Sequence, residues 1–134
     1  MTTIRLHSID GTEAAVGVSG PHSVIVDRPA GKDGGQGLGF NGGELLALAI
    51  GGCYANDLRA MAHKLGRKLG RLSIEVSLEF AGEPGTANRR AVAARMIPHC
   101  EMLDGADAAD LIARTAEISV IRNSVQHGLP ITMG

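Results

Sequence analysis

The run Leu45-Leu-Ala-Leu-Ala-Ile-Gly-Gly-Cys53 limits what this chain can fold into more than any other segment. It sits inside a helical pattern from Glu44 to Leu65, which starts after Asn41 as a candidate cap and stops at Gly66. The first half of that helix has no polar side, and the second half narrows to a stripe of Tyr54, Leu58, Met61 and Leu65. A helix apolar all round must be covered all round. The rest of a 134-residue chain offers few elements for that purpose, so the pattern calls for a second copy to supply part of the cover, in a homodimer. Gly51-Gly52 in mid-helix costs about 1 kcal/mol per residue against alanine, which implies a close approach to the backbone there.

The flanking segments have the other period. From Thr3 to Asp27, Ile4-Leu6-Ile9, Ala14-Val16-Val18 and Val24-Val26 alternate between Asp10-Gly11 and Gly20-Pro21, which predicts a three-stranded meander. Thr12 and Glu13 are able to lengthen the first turn beyond the two residues that Asp-Gly favours. Residues 28–43 hold too many glycines for helix or strand and form a loop of a length that is usually functional. Leu72 to Phe80 alternates as a half-buried strand, 83–90 is a turn, and Ala91 to Met102 is the partner strand, with Pro98 marking an edge or a bulge. Asp104 and Asp107 precede a second helix from Ala108 to Val125, Gly128 stops it, and Leu129–Met133 closes as a short strand. The order βββ-α-ββ-α-β is α+β, in one domain over 1–134.

Composition narrows the partners. Net charge is −1 and the only aromatics are Phe40, Tyr54 and Phe80, leaving neither a basic stripe nor stacking platforms for nucleic acid. No apolar window spans a membrane, and the first residues lack the apolar block of a secretory signal, so the expected location is cytoplasmic. Two cysteines, Cys53 and Cys100, are too few for a disulfide framework. Structural zinc needs four ligands at tight spacings, and His99-Cys100 with His7, His22, His63 and His127 shows none, so no metal and no cofactor is expected. Gly37-Leu-Gly-Phe-Asn-Gly42 spells G-x-G-x-x-G, but no strand leads directly into it, and it reads as a flexible loop rather than a nucleotide site.

Cys53 among Leu and Ile reads first as a small packing residue. Two features point instead to a reactive thiol: the diglycine before it, and a loop carrying Arg28 and Lys32 that is able to bring a cation over the helix and favour a thiolate.

The segment Asn41-Gly-Gly-Glu-Leu-Leu-Ala-Leu-Ala-Ile-Gly-Gly-Cys-Tyr-Ala-Asn-Asp57 resembles the active-site helix of the OsmC/Ohr family, and the element order is similar as well. The resemblance implies a small cytoplasmic thiol peroxidase acting on organic hydroperoxides, built as an intertwined homodimer with long central helices wrapped by sheets. Cys53 falls on the family's peroxidatic cysteine, which attacks the O–O bond and becomes a sulfenic acid. The family's glutamate lies ten residues before that cysteine, where this chain has Gly43. Glu44, nine residues before, is about half a turn away on a straight helix, so it is either a displaced catalytic carboxylate or a first-turn residue favoured by the helix dipole. Arg5 and Arg28 are the candidates for the family's arginine; Arg28, at the exit of the third strand, is preferred. Asp57 is expected to bond backbone or an arginine across the dimer, since an unpaired carboxylate disfavours a nearby thiolate.

The family's resolving cysteine corresponds to Ser119 in the run that ends Leu129-Pro-Ile-Thr132, and a hydroxyl forms no disulfide. Cys100 is a possible second thiol only if it comes within about 6 Å of Cys53, Cα to Cα. The resemblance therefore implies a one-cysteine cycle, with an external thiol or a dithiol such as dihydrolipoamide as reductant and alkyl or lipid hydroperoxides as substrates. A catalytically weak protein binding an apolar small molecule, and a redox sensor modified once at Cys53, are the alternatives.

Overall fold

A computed structural model describes all residues from Met1 to Gly134. In chain order the elements are β1 (Arg5–Ser8), β2 (Ala15–Ser19), β3 (His22–Val26), α1 (Gly42–Lys64), β4 (Leu69–Ala81), β5 (Arg90–Met102), α2 (Ala109–Ile118) and α3 (Val120–His127). They form two compact units, Met1–Leu46 and Ala47–Gly134, whose boundary falls within α1.

In the first unit β1, β2 and β3 pair antiparallel in that order, as the alternation requires. Thr12 does lengthen the first turn: its hydroxyl donates to Ile9 O at 2.8 Å and accepts Ala14 N–H at 3.1 Å. Gly20, at φ 55°, sits at the first central position of the two-residue β2–β3 hairpin, where L side chains are strained.

In the second unit β4 and β5 form a long antiparallel hairpin. Leu72, Ile74, Val76 and Leu78 turn inward, and Ser73, Glu75, Ser77 and Glu79 turn to solvent. Pro98 lies opposite Ile74 without a bulge, and the register shifts fall instead at Leu69/Leu72 and Glu79/Phe80. Both strands of a two-stranded sheet are edges, which is the setting proline tolerates. The core joins Tyr54, Leu58 and Ala62, one helical stripe at i, i+4 spacing, to Leu69, Met102, Ala108 and Leu111. Each large side chain fully buried here contributes about 1.5–3 kcal/mol. One turn above that stripe, a Cβ on Gly51 would stand 2.8 Å from a Val76 methyl, so α1 meets β4 at the absent side chain. Gly52 has open space beside it, and only Gly51 answers the expectation of a close approach.

Two expected elements come out differently. The second helical stretch is broken at Ser119, whose ψ of 113° is extended. The break is sealed by side chains: Arg122 donates to Ala116 O at 3.0 Å and the Asn123 amide to Glu117 O at 3.0 Å, serving carbonyls that a continuous helix would pair with its own N–H groups. The segment 129–133 forms no strand, and Leu129, Ile131 and Met133 stand exposed. The order is therefore βββ-α-ββ-αα, still α+β with antiparallel sheets.

Candidate functional site

Two groups of candidate residues are built by separate parts of the chain. In the first unit, β3 runs out at Val26 and Asp27 follows, 6 % exposed. Its Oδ1 accepts Arg28 N–H at 2.8 Å, and its Oδ2 accepts the N–H groups of Gln36 at 3.1 Å and Leu38 at 3.0 Å. The glycine-rich loop is thus wound around a carboxylate of its own chain. Glycine permits this winding: Gly31, Gly34 and Gly37 have positive φ, and a Cβ on Gly35 would stand 2.6 Å from Pro29 O. The Leu38 N–H bond chiefly holds the Asp27 carboxyl below the usual carboxylate range; burial opposes it, and the bonds from Gln36 and Arg28 add to it. Within the segment that spells G-x-G-x-x-G, Leu38 N–H donates to Asp27, Gly37 N–H to Arg28 O, Phe40 N–H to Ile25 O and Asn41 N–H to Glu44 Oε2, so these donors are already taken by the chain itself.

Arg28 projects from the same loop and pairs with Asp33, Nη2 to Oδ2 3.0 Å, with both side chains largely exposed. At the loop's end, Asn41 Oδ1 accepts Glu44 N–H at 3.0 Å while Glu44 Oε2 accepts Asn41 N–H at 2.9 Å. This reciprocal capping box serves two backbone donors at the start of α1 and gives Glu44 a structural task. A hollow of about 380 Å³ lies in this unit between Glu13, Val26, Arg28, Pro29 and Asn41.

In the second unit, Cys53 is half-buried on α1 and its thiol donates to Asp57 Oδ2 at 3.4 Å, one turn further on. Asp57 therefore takes the thiol, rather than a backbone N–H or an arginine, as its partner within the chain. The ion pairs of the structure, Arg28–Asp33 and Arg114–Asp110, do not include it. Cys100, opposite Leu72 on β5, packs against the core, and burial pushes its thiol up, partly offset by the Arg59 guanidinium. It borders an open cleft of about 800 Å³ with Arg71, Pro98, His99, Met102 and Ile112. Both cysteines are free thiols. Ser119 is completely buried between α2 and α3, and its Oγ has no hydrogen-bond partner. No three His, Cys, Asp or Glu side chains gather as a metal site.

Asp27 is the residue that sequence reasoning missed. Its signal was available: a loop rich in backbone N–H groups and poor in side-chain acceptors, entered through a carboxylate at the end of a strand.

A sequence profile described as OsmC-like protein matches residues 34–134. No curated protein matches the chain. Among solved structures, an OsmC-like protein from Mycoplasma pneumoniae superposes with a TM-score of 0.77 at 13 % identity, covering 94 % of this chain and 87 % of that one. An OsmC-like protein of unknown function from Vibrio cholerae gives 0.77 at 10 % identity, covering 94 % of each. An organic hydroperoxide resistance protein OsmC from Legionella pneumophila, also described as a predicted redox protein, gives 0.64 at 18 % identity, covering 94 % and 89 %. At such identities the superpositions speak for the fold, while the profile spans most of the sequence, and together they show that this chain belongs to the OsmC-like family.

Proposed function

We propose that the protein is a thiol-dependent peroxidase that reduces organic hydroperoxides through Cys53. The observation carrying this is that, in a chain of this family, Cys53 is a free and partly accessible thiol in mid-helix, whereas burial pushes the Cys100 thiol up and position 119 holds a hydroxyl. The Cys53 thiolate attacks the distal peroxide oxygen and the O–O bond breaks. The alkoxide takes a proton and leaves as an alcohol, and Cys53 becomes a sulfenic acid. An external dithiol then attacks that sulfur, water leaves, and the dithiol's second sulfur displaces Cys53 as it closes to a disulfide. The hydroperoxide resistance description of the Legionella protein supports the substrate class.

Arg28 supplies the cation in this proposal. Its pair with Asp33 is exposed, worth about 0–1 kcal/mol, and is given up at little cost. A homodimer completes the fold: Leu48, in the apolar half of α1, is 50 % exposed in the single chain. One folding domain over 1–134 and a cytoplasmic location complete the proposal; no helix is long and apolar enough to cross a membrane.

A second reading, an apolar-ligand binding protein that has lost efficient catalysis, draws support from the Cys53–Asp57 contact, because a thiol donating to a carboxylate is not primed for attack. Intact-mass trapping of sulfenic acid after a stoichiometric dose of cumene hydroperoxide, beside the same dose of hydrogen peroxide, separates the two. Peroxidase action requires rapid modification of Cys53, faster with the organic peroxide. Cys53→Ser then abolishes peroxide consumption and Cys100→Ser leaves most of it. An unmodified Cys53 defeats the proposal in favour of binding.

A further inference from the structure

Cys53 and Asp57 stand four residues apart on α1, a spacing that puts two side chains on one face of a helix. Helical side chains lean toward the N-terminus, so the Asp57 carboxylate lies over the turn that carries Cys53, and its Oδ2 accepts the thiol at 3.4 Å. The carboxylate has no other partner in the second unit. Arg59, two residues further on, donates instead to the carbonyls of Leu69 at 3.1 Å and Gly70 at 3.0 Å. The ion pairs Arg28–Asp33 and Arg114–Asp110 leave Asp57 out as well, so no cation competes with the thiol for its oxygens.

Attack on a hydroperoxide makes two proton demands. Sulfur must lose a proton to become the nucleophile, and the departing alkoxide, a strong base, must gain one. The distal oxygen keeps its own hydrogen and becomes the sulfenic hydroxyl, so one proton has to pass from sulfur to the leaving oxygen. The contact that leaves the resting thiol protonated also gives that proton a destination.

We propose that Asp57 is a second catalytic residue of the Cys53 site: its carboxylate takes the thiol proton as sulfur attacks and hands it to the departing alkoxide. This role rests on the peroxidase reading. An S–O bond forms to the distal oxygen, the O–O bond breaks, and its electron pair goes to the alkyl oxygen, which the proton from Asp57 converts to the alcohol. Sulfur is oxidised, the peroxide is reduced, and Asp57 ends as the carboxylate it was. The dyad therefore suits oxidants whose leaving group is a strong base, the alkyl hydroperoxides. A peracid leaves as a carboxylate, which needs no proton, and gains little from it.

The experiment follows the rate of sulfenic acid trapping on Cys53 in the full chain, with cumene hydroperoxide and with peracetic acid, for the wild type, Asp57→Asn and Asp57→Glu. Losing a general acid–base group should slow the reaction of Asp57→Asn with cumene hydroperoxide by about a hundredfold or more. Its reaction with peracetic acid should change far less. Asp57→Glu keeps a carboxylate one turn from the sulfur and should recover part of the lost rate. If Asp57→Asn fails to fold, the wild type is compared with a small free thiol: the advantage of peracetic acid over cumene hydroperoxide should be smaller for the protein.

Equal slowing with both oxidants makes Asp57 a structural residue and overturns the proposal. Faster trapping with both means that the carboxylate only restrains the thiol, and overturns it too, as does an advantage of peracetic acid as large as that of the free thiol. In each of these outcomes the wild type still reacts, and the peroxidase reading stands. A wild-type chain that shows no trapping defeats that reading and the role of Asp57 with it.

Discussion

Gly51 and Gly52 are adjacent in one helix, have the same propensity, and should respond to alanine with opposite signs. A Cβ at Gly52 meets nothing within 4 Å, so Gly52→Ala gains the helix propensity difference of about 0.8–1 kcal/mol. A Cβ at Gly51 meets a Val76 methyl at 2.8 Å and an Ile74 methyl at 3.6 Å. Ordinary carbon contacts lie near 3.5–4.0 Å, so Val76 must retreat by most of an ångström. Val76 is β-branched, held to few rotamers, and rooted in a paired strand opposite Met96, so it has little room to do so. Overpacking of that kind costs about 1–3 kcal/mol, which outweighs the propensity gain and leaves Gly51→Ala destabilised by roughly 0–2 kcal/mol. The two variants should differ by about 1–3 kcal/mol. At this length that corresponds to about 3–5 °C in Tm for each kcal/mol, read by thermal and urea unfolding at matched protein concentration. Equal shifts in one direction would refute the close approach of α1 to β4. A Gly52→Ala loss that deepens on dilution would place a second copy of the chain against that face.

Ser119→Ala removes a buried hydroxyl without a partner, whose desolvation costs about 1–3 kcal/mol, and should leave the protein equally or more stable in urea unfolding; a loss above about 1 kcal/mol would reveal a bond made by that hydroxyl. Tyr54 is buried and donates to Ile112 O at 2.8 Å, so Tyr54→Phe should cost about 0.5–1.5 kcal/mol. Burial raises the Tyr54 phenol above its ordinary value of 10.0, so its contribution is complete below that pH and is lost as pH rises through the folded value. Tyr54→Phe should accordingly flatten the alkaline limb of stability against pH, once Cys100→Ala has removed the parallel contribution of that raised thiol. Asp27 has the opposite sign: its lowered carboxyl stabilises above the ordinary carboxylate value and loses that contribution as pH falls through the folded one, so Asp27→Asn should flatten the acid limb.

Local pattern carried far in this chain. The alternation from Leu72 to Phe80 alone assigns Leu72, Ile74, Val76 and Leu78 to one face, because the side-chain period of a strand is two and no tertiary contact alters it. The meander, the glycine-rich loop and the long helix with Asn41 at its head were legible for similar reasons, whereas the reciprocal bonds that join Asn41 to Glu44 came only with the structure. The OsmC-like resemblance was clearest in one helix and its approach, was supported by the element order, and is matched by the profile over residues 34–134.

What sequence left open depended on partners distant along the chain. The apolar side of 108–125 reads as one helix, and nothing in that pattern shows that Arg122 and Asn123 serve the carbonyls of Ala116 and Glu117 and let the chain turn at Ser119. The alternation of Leu129–Met133 is sufficient for a strand but does not supply the neighbouring strand that a strand requires. Two glycines side by side are identical in sequence, and only the position of Val76 distinguishes them. Asp27 and Cys53 show the same division in the candidate site. Residue type and spacing marked the thiol and the loop, but the carboxylate that fills the loop, and the one that accepts the thiol, were set by where the folded backbone brought each donor. Periodicity is a property of the chain itself; hydrogen-bond partners and close approaches are properties of packed space, and only the tertiary structure contains them.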